Sequence, residues 1–397
     1  PPPAPAPKAE TLADVEARAP TAHAAETVAA SQEAIRLARQ GETAEAESLM
    51  RQHVEQIEKR YGSDSPQYAW AQYDAGSVCL AIGQLPEAIA ALRRACDVDA
   101  GGDRQATRDR LTFMMNLGEV LQRAGELDEA ERVLREGLHG RRAFYGRRHA
   151  GYAYGLEPLV AVLAKKGEHD EALRLADEAV AIFTADGHAR VVTAIALRAR
   201  ILAAMESARP LFAGTDKVAE WQLPDLVDSV VGRVSLDQPD LERKLLEGLL
   251  PVVQDRLGTT HPKTVNLWVA LSNVERAAGR HDRRQQALRQ ALAAFEEWGN
   301  EALVIETLGG LASAQGDAGQ ADDALKTYQT AKQRAAKLGN AAVESAAARD
   351  YGLYLAEVKR PEEARRQLEE ALAKAKTSGD TTLIGSAEAA LGIFPKP

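Results

Sequence analysis

Residues 111–137 read LTFMMNLGEVLQRAGELDEAERVLREG, and the punctuation of this stretch repeats along the chain. Gly125 separates two amphipathic runs, Leu111 to Arg123 and Asp128 to Gly137, a helix–turn–helix pattern. Ala130 follows the glycine by five residues. The same pair recurs as Gly41/Ala46, Gly83/Ala88 and Gly167/Ala172, with the alanines 42 residues apart each time (88−46, 130−88, 172−130). A period of this length means stacked units that bury their core against their neighbours. Other small residues keep the register. Gly76 and Gly118 lie seven residues before the turn glycine, and Ala95 and Ala179 lie twelve after it. Small side chains let two helix axes approach to about 8 Å, while Leu117, Leu121 and Leu134 fill the remaining volume.

This register resembles the tetratricopeptide repeat over most of residues 24–376. The junctions narrow the subtype. Tyr61-Gly62-Ser63-Asp64-Ser65-Pro66, Tyr145-Gly146-Arg147-Arg148-His149 and Leu257-Gly258-Thr259-Thr260-His261-Pro262 follow second helices. They resemble the Gly-x-x-His-Pro junction of kinesin-light-chain-type repeats, with Ser65 in place of His and Ala150 in place of Pro. Physically, the glycine is expected to end a helix in a left-handed cap and the proline to open the next. Ladder and resemblance together predict an all-α fold, a right-handed superhelical solenoid of about eight helix pairs.

The register can be followed further. Twenty residues before Pro66 stands Ala46, and twenty before Pro262 stands Glu242, so Leu241 to Arg256 is a second helix, kinked at Pro251. Arg284 lies five residues after Gly279, and Ala324 and Ala364 follow at steps of 40. Glu242 and Arg284 break the small-residue rule, which predicts looser packing in those two repeats. From Ala172 to Glu242 is 70 residues, 42 plus 28, so an insertion interrupts the array. It holds a helix, Ala189 to Met205, then the breaker-rich run Ala208 to Gly214, then Trp221 and Pro224. A degenerate repeat, a change of superhelix direction and early proteolysis within 206–222 are expected there. The division is therefore a Pro/Ala-rich linker (1–20), an N-terminal array (21–188), the insertion (189–222) and a C-terminal array (223–397). A helix from about Thr382 to Leu391 caps the last of these.

Composition excludes several classes. With 49 Lys and Arg against 58 Asp and Glu, the net charge is −9, where a nucleic-acid scaffold would carry a basic stripe. No stretch approaches the roughly 18 uninterrupted apolar residues of a membrane span. Two cysteines, Cys79 and Cys96, read as buried free thiols rather than a disulfide framework. The start at Pro1 to Pro7 reads as an extended spacer exposed by processing. The cytoplasm is the favoured compartment, with a periplasmic or membrane-tethered location as the alternative if a segment upstream of Pro1 was removed.

Chemistry is sparse. The eight histidines form no His-x-x-x-His or His-Glu-x-x-His pair. His149 and His261 share a junction position suited to capping a helix. Asp97 to Asp103 has the look of a calcium loop but places Gly101 and Arg108 where ligands are required. No nucleophile, phosphate or dinucleotide motif occurs. No catalytic residue, metal ligand or cofactor is assigned, and the chain reads as a non-enzyme.

What remains is the inner face of the array. The resemblance implies that Trp70, Tyr73, Asp74 and Ser77 face it in the second unit. Thr112, Met115, Asn116, Glu119, Gln122 and Arg123 do so in the third, and Tyr154, Glu157 and Lys165 in the fourth. Arg39, Arg123 and Lys165 share one place and form a basic ladder. Trp70, Tyr73, Asn116, Arg123, Tyr154 and Lys165 are the candidate ligand-binding set, for an extended peptide or partner helix with an acidic stretch. Packing between repeats is the alternative role for Trp70 and Tyr154. The Lys/Asn clamp of chaperone-tail binders is not matched, since Met115, Glu119, Tyr73 and Ser77 occupy its places. Two functions stay open: a protein-binding scaffold, or a regulatory or sensory region of a larger signalling protein such as a kinase or transcription regulator.

Overall fold

The structure, a computed structural model, describes residues 22–99 and 101–394. The linker expected over residues 1–20 lies outside the described residues. Within them the chain is all-α, without a strand, and divides into two compact units at His188/Ala189.

The first unit is four helix pairs. These are α1 (Ala22–Arg39) with α2 (Thr43–Tyr61), α3 (Pro66–Ala81) with α4 (Leu85–Asp97), α5 (Arg104–Ala124) with α6 (Leu127–Tyr145), and α7 (Ala150–Lys166) with α8 (His169–Ala185). The second unit opens with α9 (Val191–Ala204), α10 (Leu223–Val231) and α11 (Pro239–Leu257), which pack on one another. Three pairs follow: α12 (Pro262–Ala277) with α13 (His281–Glu297), α14 (Glu301–Asp317) with α15 (Ala321–Leu338), and α16 (Ala341–Glu357) with α17 (Pro361–Ser378). The capping helix α18 (Thr381–Leu391) closes this unit by laying Ala387 against Ala348, Ala371 and Ala375. The helix around Pro251 is continuous from Pro239 to Leu257.

Small residues sit where helices touch. Ala46, Ala88, Ala130, Ala172, Ala324 and Ala364 are fully buried. A Cβ added to Gly118 would lie 2.4 Å from Leu134 Cγ, so α5 and α6 touch through the missing side chain.

The junctions explain why the period shortens from 42 to 40. In the longer form, glycine is followed three residues later by a capping side chain. Ser65 Oγ accepts from Tyr68 N at 3.2 Å, His149 Nδ1 from Gly151 N at 2.9 Å, and His261 Nδ1 from Lys263 N at 3.2 Å. Acceptance through Nδ1 fixes both imidazoles as the Nε2–H tautomer. In the shorter form the cap follows the glycine directly. Asn300 Oδ1 caps Leu303 N at 3.2 Å, Asn340 caps Ala342 N at 3.0 Å, and Asp380 caps Thr382 N at 2.8 Å. Two residues are saved at each turn. The longer junctions are not left-handed caps as expected: Gly62 has φ 84° and ψ 159°, a region only glycine tolerates.

Glu242 and Arg284 do not loosen their repeats. Glu242 is fully buried, and Arg200 grips it with Nη1 at 2.7 Å from Oε1 and Nη2 at 3.1 Å from Oε2. Arg284 is 7% exposed and reaches Asp317 Oδ2 at 3.0 Å. Each long side chain fills the space and brings its own counter-charge.

The irregular run after α9 is bound to the second unit. Phe212, Thr215, Val218 and Gln222 are buried. Arg198 donates to the Ala213 carbonyl, and Arg256 donates to those of Thr215 at 2.8 Å and Val218 at 2.9 Å. Arginine thus supplies a donor to the Ala213 and Val218 carbonyls and a second one to Thr215, which also accepts from Val218 N at 3.1 Å. Early proteolysis is opposed by this anchoring. Arg256→Ala should raise the rate of tryptic cleavage after Lys217 several-fold, followed by mass spectrometry. Equal rates in wild type and variant would show that the two bonds do not hold the segment.

Candidate binding face

The first helices of the first unit carry the six residues singled out in the sequence. Trp70 is held between two repeats. Its ring stands edge-on to Tyr73 at 5.4 Å and to Phe113 at 5.0 Å, and its Nε1–H donates to Asp109 Oδ2 at 2.9 Å. Gln105 donates to the other oxygen of this carboxylate at 2.9 Å. Burial pushes the Asp109 carboxyl up, and the bonds from Trp70 and Gln105 act in the opposite sense. Trp70 keeps 37% of its surface exposed, so it offers an edge to solvent while fastening α3 to α5.

Tyr73 lies against Phe113 with centroids 5.0 Å apart. Burial raises its phenol, and the charges of Asp74 and Glu119 raise it further. Asp74 is half-buried, and desolvation lifts its carboxyl to about 7. Asn116 donates to the Thr112 carbonyl of its own helix at 2.9 Å, and Ser77 does the same to Tyr73 at 3.0 Å. The Tyr154 hydroxyl is 3.0 Å from His188 Nε2, and its ring stands edge-on to Phe183 at 5.6 Å. Met115 and Glu157, which the resemblance places on the face, are buried.

The cations behave differently. Arg39, Arg123 and Lys165 are all exposed, and among the described residues none of them forms an ion pair. Their neighbour Lys166 is bound to Asp128 Oδ1 at 2.7 Å and Glu131 Oε2 at 2.6 Å, which holds its ammonium well above its usual range. Nearby, Arg135 spans two repeats from Glu131 to Glu171. The structure thus brings Trp70 and Tyr73 together, engages Asn116 and Tyr154 internally, and leaves Arg123 and Lys165 unpaired.

Two features of the face had a weak signal in the sequence. Asp109 is 39 residues beyond Trp70, close to one repeat, which is where a partner on the next first helix must lie. Arg141, buried on α6, donates to the Gly151 carbonyl at 2.8 Å and to Thr112 Oγ1 at 3.4 Å. It ties α6 to α5 and α7, and its charge gave no clue to burial. Among the described residues no cluster of three His, Cys, Asp or Glu is placed to hold a metal ion, and no helix is long and apolar enough to cross a membrane. Cys79 and Cys96 are free thiols, Cys96 buried and Cys79 partly so.

A tetratricopeptide repeat family model matches residues 27–100, 109–185 and 303–377. No curated protein matches the chain. Among solved structures, BtubC from P. vanneervenii is 17% identical, covering 64% of this chain and 92% of that one with a TM-score of 0.36. TPR-like repeats of the kinesin light chain type from Podosopora anserina are 18% identical, covering 58% and 97% with a TM-score of 0.34. A Rap protein in complex with competence and sporulation factor is 12% identical, covering 93% and 97% with a TM-score of 0.33.

Proposed function

Because the chain belongs to the tetratricopeptide repeat family, we propose that it is a non-catalytic scaffold whose first-helix face in the first unit receives an extended segment of a partner protein. One observation carries this reading. Arg123 and Lys165 occupy the same place in adjacent repeats and remain unpaired, while Lys166 and Arg135 beside them are consumed in bonds between repeats. Unpaired cations at a fixed spacing select carboxylates and speed their arrival. The exposed edge of Trp70 adds apolar contact area next to the row.

The test is affinity capture with mass spectrometry, using wild type and an Arg123→Glu/Lys165→Glu variant. Both side chains are exposed, so the variant should match the wild-type melting temperature within about 2 °C, the scale of a change below 0.5 kcal/mol. Partners retained by wild type should be lost at least tenfold, and raised salt should weaken the wild-type complex. Identical partner sets would place binding elsewhere. Trp70→Ala is a poor test, because it removes the α3–α5 contact and leaves the buried Asp109 carboxylate with one of its two side-chain donors, Gln105.

A further inference from the structure

The second unit has a cleft of about 490 Å³ between the end of α10 and the exposed stripe of α12. Its apolar wall is Val234, Leu236 and Val269; Leu236 is 47% and Val269 37% exposed. Its polar side is Asn266, Asn273 and Arg276, all exposed and all on α12. Arg276 is unlike its neighbours. Every other arginine or lysine from α11 through α13 is bonded: Arg243 and Arg283 to Glu247, Lys244 to Glu206, Arg256 to carbonyls, Lys263 to Asp228, Arg280 to Asp240, Arg284 to Asp317 and Arg289 to Gln285. Among the described residues Arg276 has no acidic partner, and neither Asn266 nor Asn273 makes a side-chain hydrogen bond.

We propose that this cleft is a second binding site, separate from the face on the first unit, for an extended protein segment that presents an aliphatic side chain and, two residues on, a carboxylate. The chemistry of the walls selects the occupant. Leu236 and Val269 need an apolar side chain to leave water. Arg276 needs an anion. Val269 and Arg276 are seven residues apart, about 10 Å along a helix. Side chains at i and i+2 of an extended chain share a face at about 7 Å, and the reach of the arginine closes the rest. Asn266 and Asn273 have the same seven-residue spacing. A carboxamide both donates and accepts, so each can bond a main-chain amide of the segment.

The test is an array of immobilised twelve-residue peptides bearing Leu-x-Glu, Leu-x-Lys or Ser-x-Glu, probed with the full chain. Wild type should favour Leu-x-Glu over both others at least tenfold. Arg276→Glu should reverse the preference toward Leu-x-Lys with an unchanged melting temperature, a charge swap that loss of structure cannot produce. The Arg123→Glu/Lys165→Glu variant should keep the Leu-x-Glu preference, which separates failure of this site from failure of the other. An Arg276→Glu chain with unaltered selectivity, or no peptide preference in wild type, would overturn the proposal. So would free 4-methylpentanoate displacing the peptide at equal concentration, since the cleft would then take a small acid.

Discussion

Glu242→Leu should cost the second unit about 3 kcal/mol, the lower end of the loss incurred when a buried ion pair is deprived of one partner. Glu242 is fully buried at the place alanine holds in most other repeats, and Arg200 supplies both of its bonds. Without the carboxylate, Arg200 keeps only the Arg233 carbonyl at 3.1 Å. Its side chain is 26% exposed and can recover some hydration, which holds the loss to the lower figure. Adding Arg200→Met should restore about 2 kcal/mol, because replacing both charges with apolar groups is close to neutral. Tryptophan fluorescence in urea reads this directly, since Trp221, Trp268 and Trp298 all lie in the second unit. A single-variant loss below about 1 kcal/mol, or a double variant no better than the single, would refute the pair's role.

Ala130→Leu should cost the first unit about 3 kcal/mol through overpacking. Ala130 is fully buried on α6, and the facing α5 already lies so close that Gly118 has no room for a Cβ beside Leu134. Arg284→Leu is the matched control. The site is filled by a long side chain, and the counter-ion left behind, Asp317, is 42% exposed, so the loss should stay near about 1 kcal/mol. Trp70 reports the first unit and the other tryptophans the second. Equal losses would mean that the two positions do not share one register.

The repeat ladder was legible because backbone geometry enforces it. A turn needs glycine, and two touching helices need small residues, whatever the protein binds. The reading failed where a side chain is answered from another repeat. Glu242 and Arg284 looked like loosened contacts, yet their partners, Arg200 and Asp317, lie 42 and 33 residues away. The Arg200 to Glu242 separation equals the longer period, so a search for opposite charges at that spacing would have found it. The anchoring of residues 212–218 left no trace, because Arg198 and Arg256 bond to main-chain carbonyls that have no side-chain signature. Trp70 was recognised as an aromatic near the face, but its bond to Asp109 needed the stacking of α3 on α5. In the second cleft, Leu236 arrives beside the α12 residues only through the turn after α10, which a repeat ladder does not show.

The switch from a glycine with a cap three residues on to a glycine with an adjacent Asn or Asp makes the last part of the chain editable. Gly299-Asn300 and Gly339-Asn340 are interchangeable splice points. Excising residues 301–340 would join Asn300 to Ala341 and leave a glycine–asparagine corner whose asparagine again caps the helix that follows. Only the side-chain interface between the newly adjacent pairs would need to adapt. Length in this region can therefore drift by whole modules without a new loop being invented, while the longer corners at Gly62, Gly146 and Gly258 exchange only with one another.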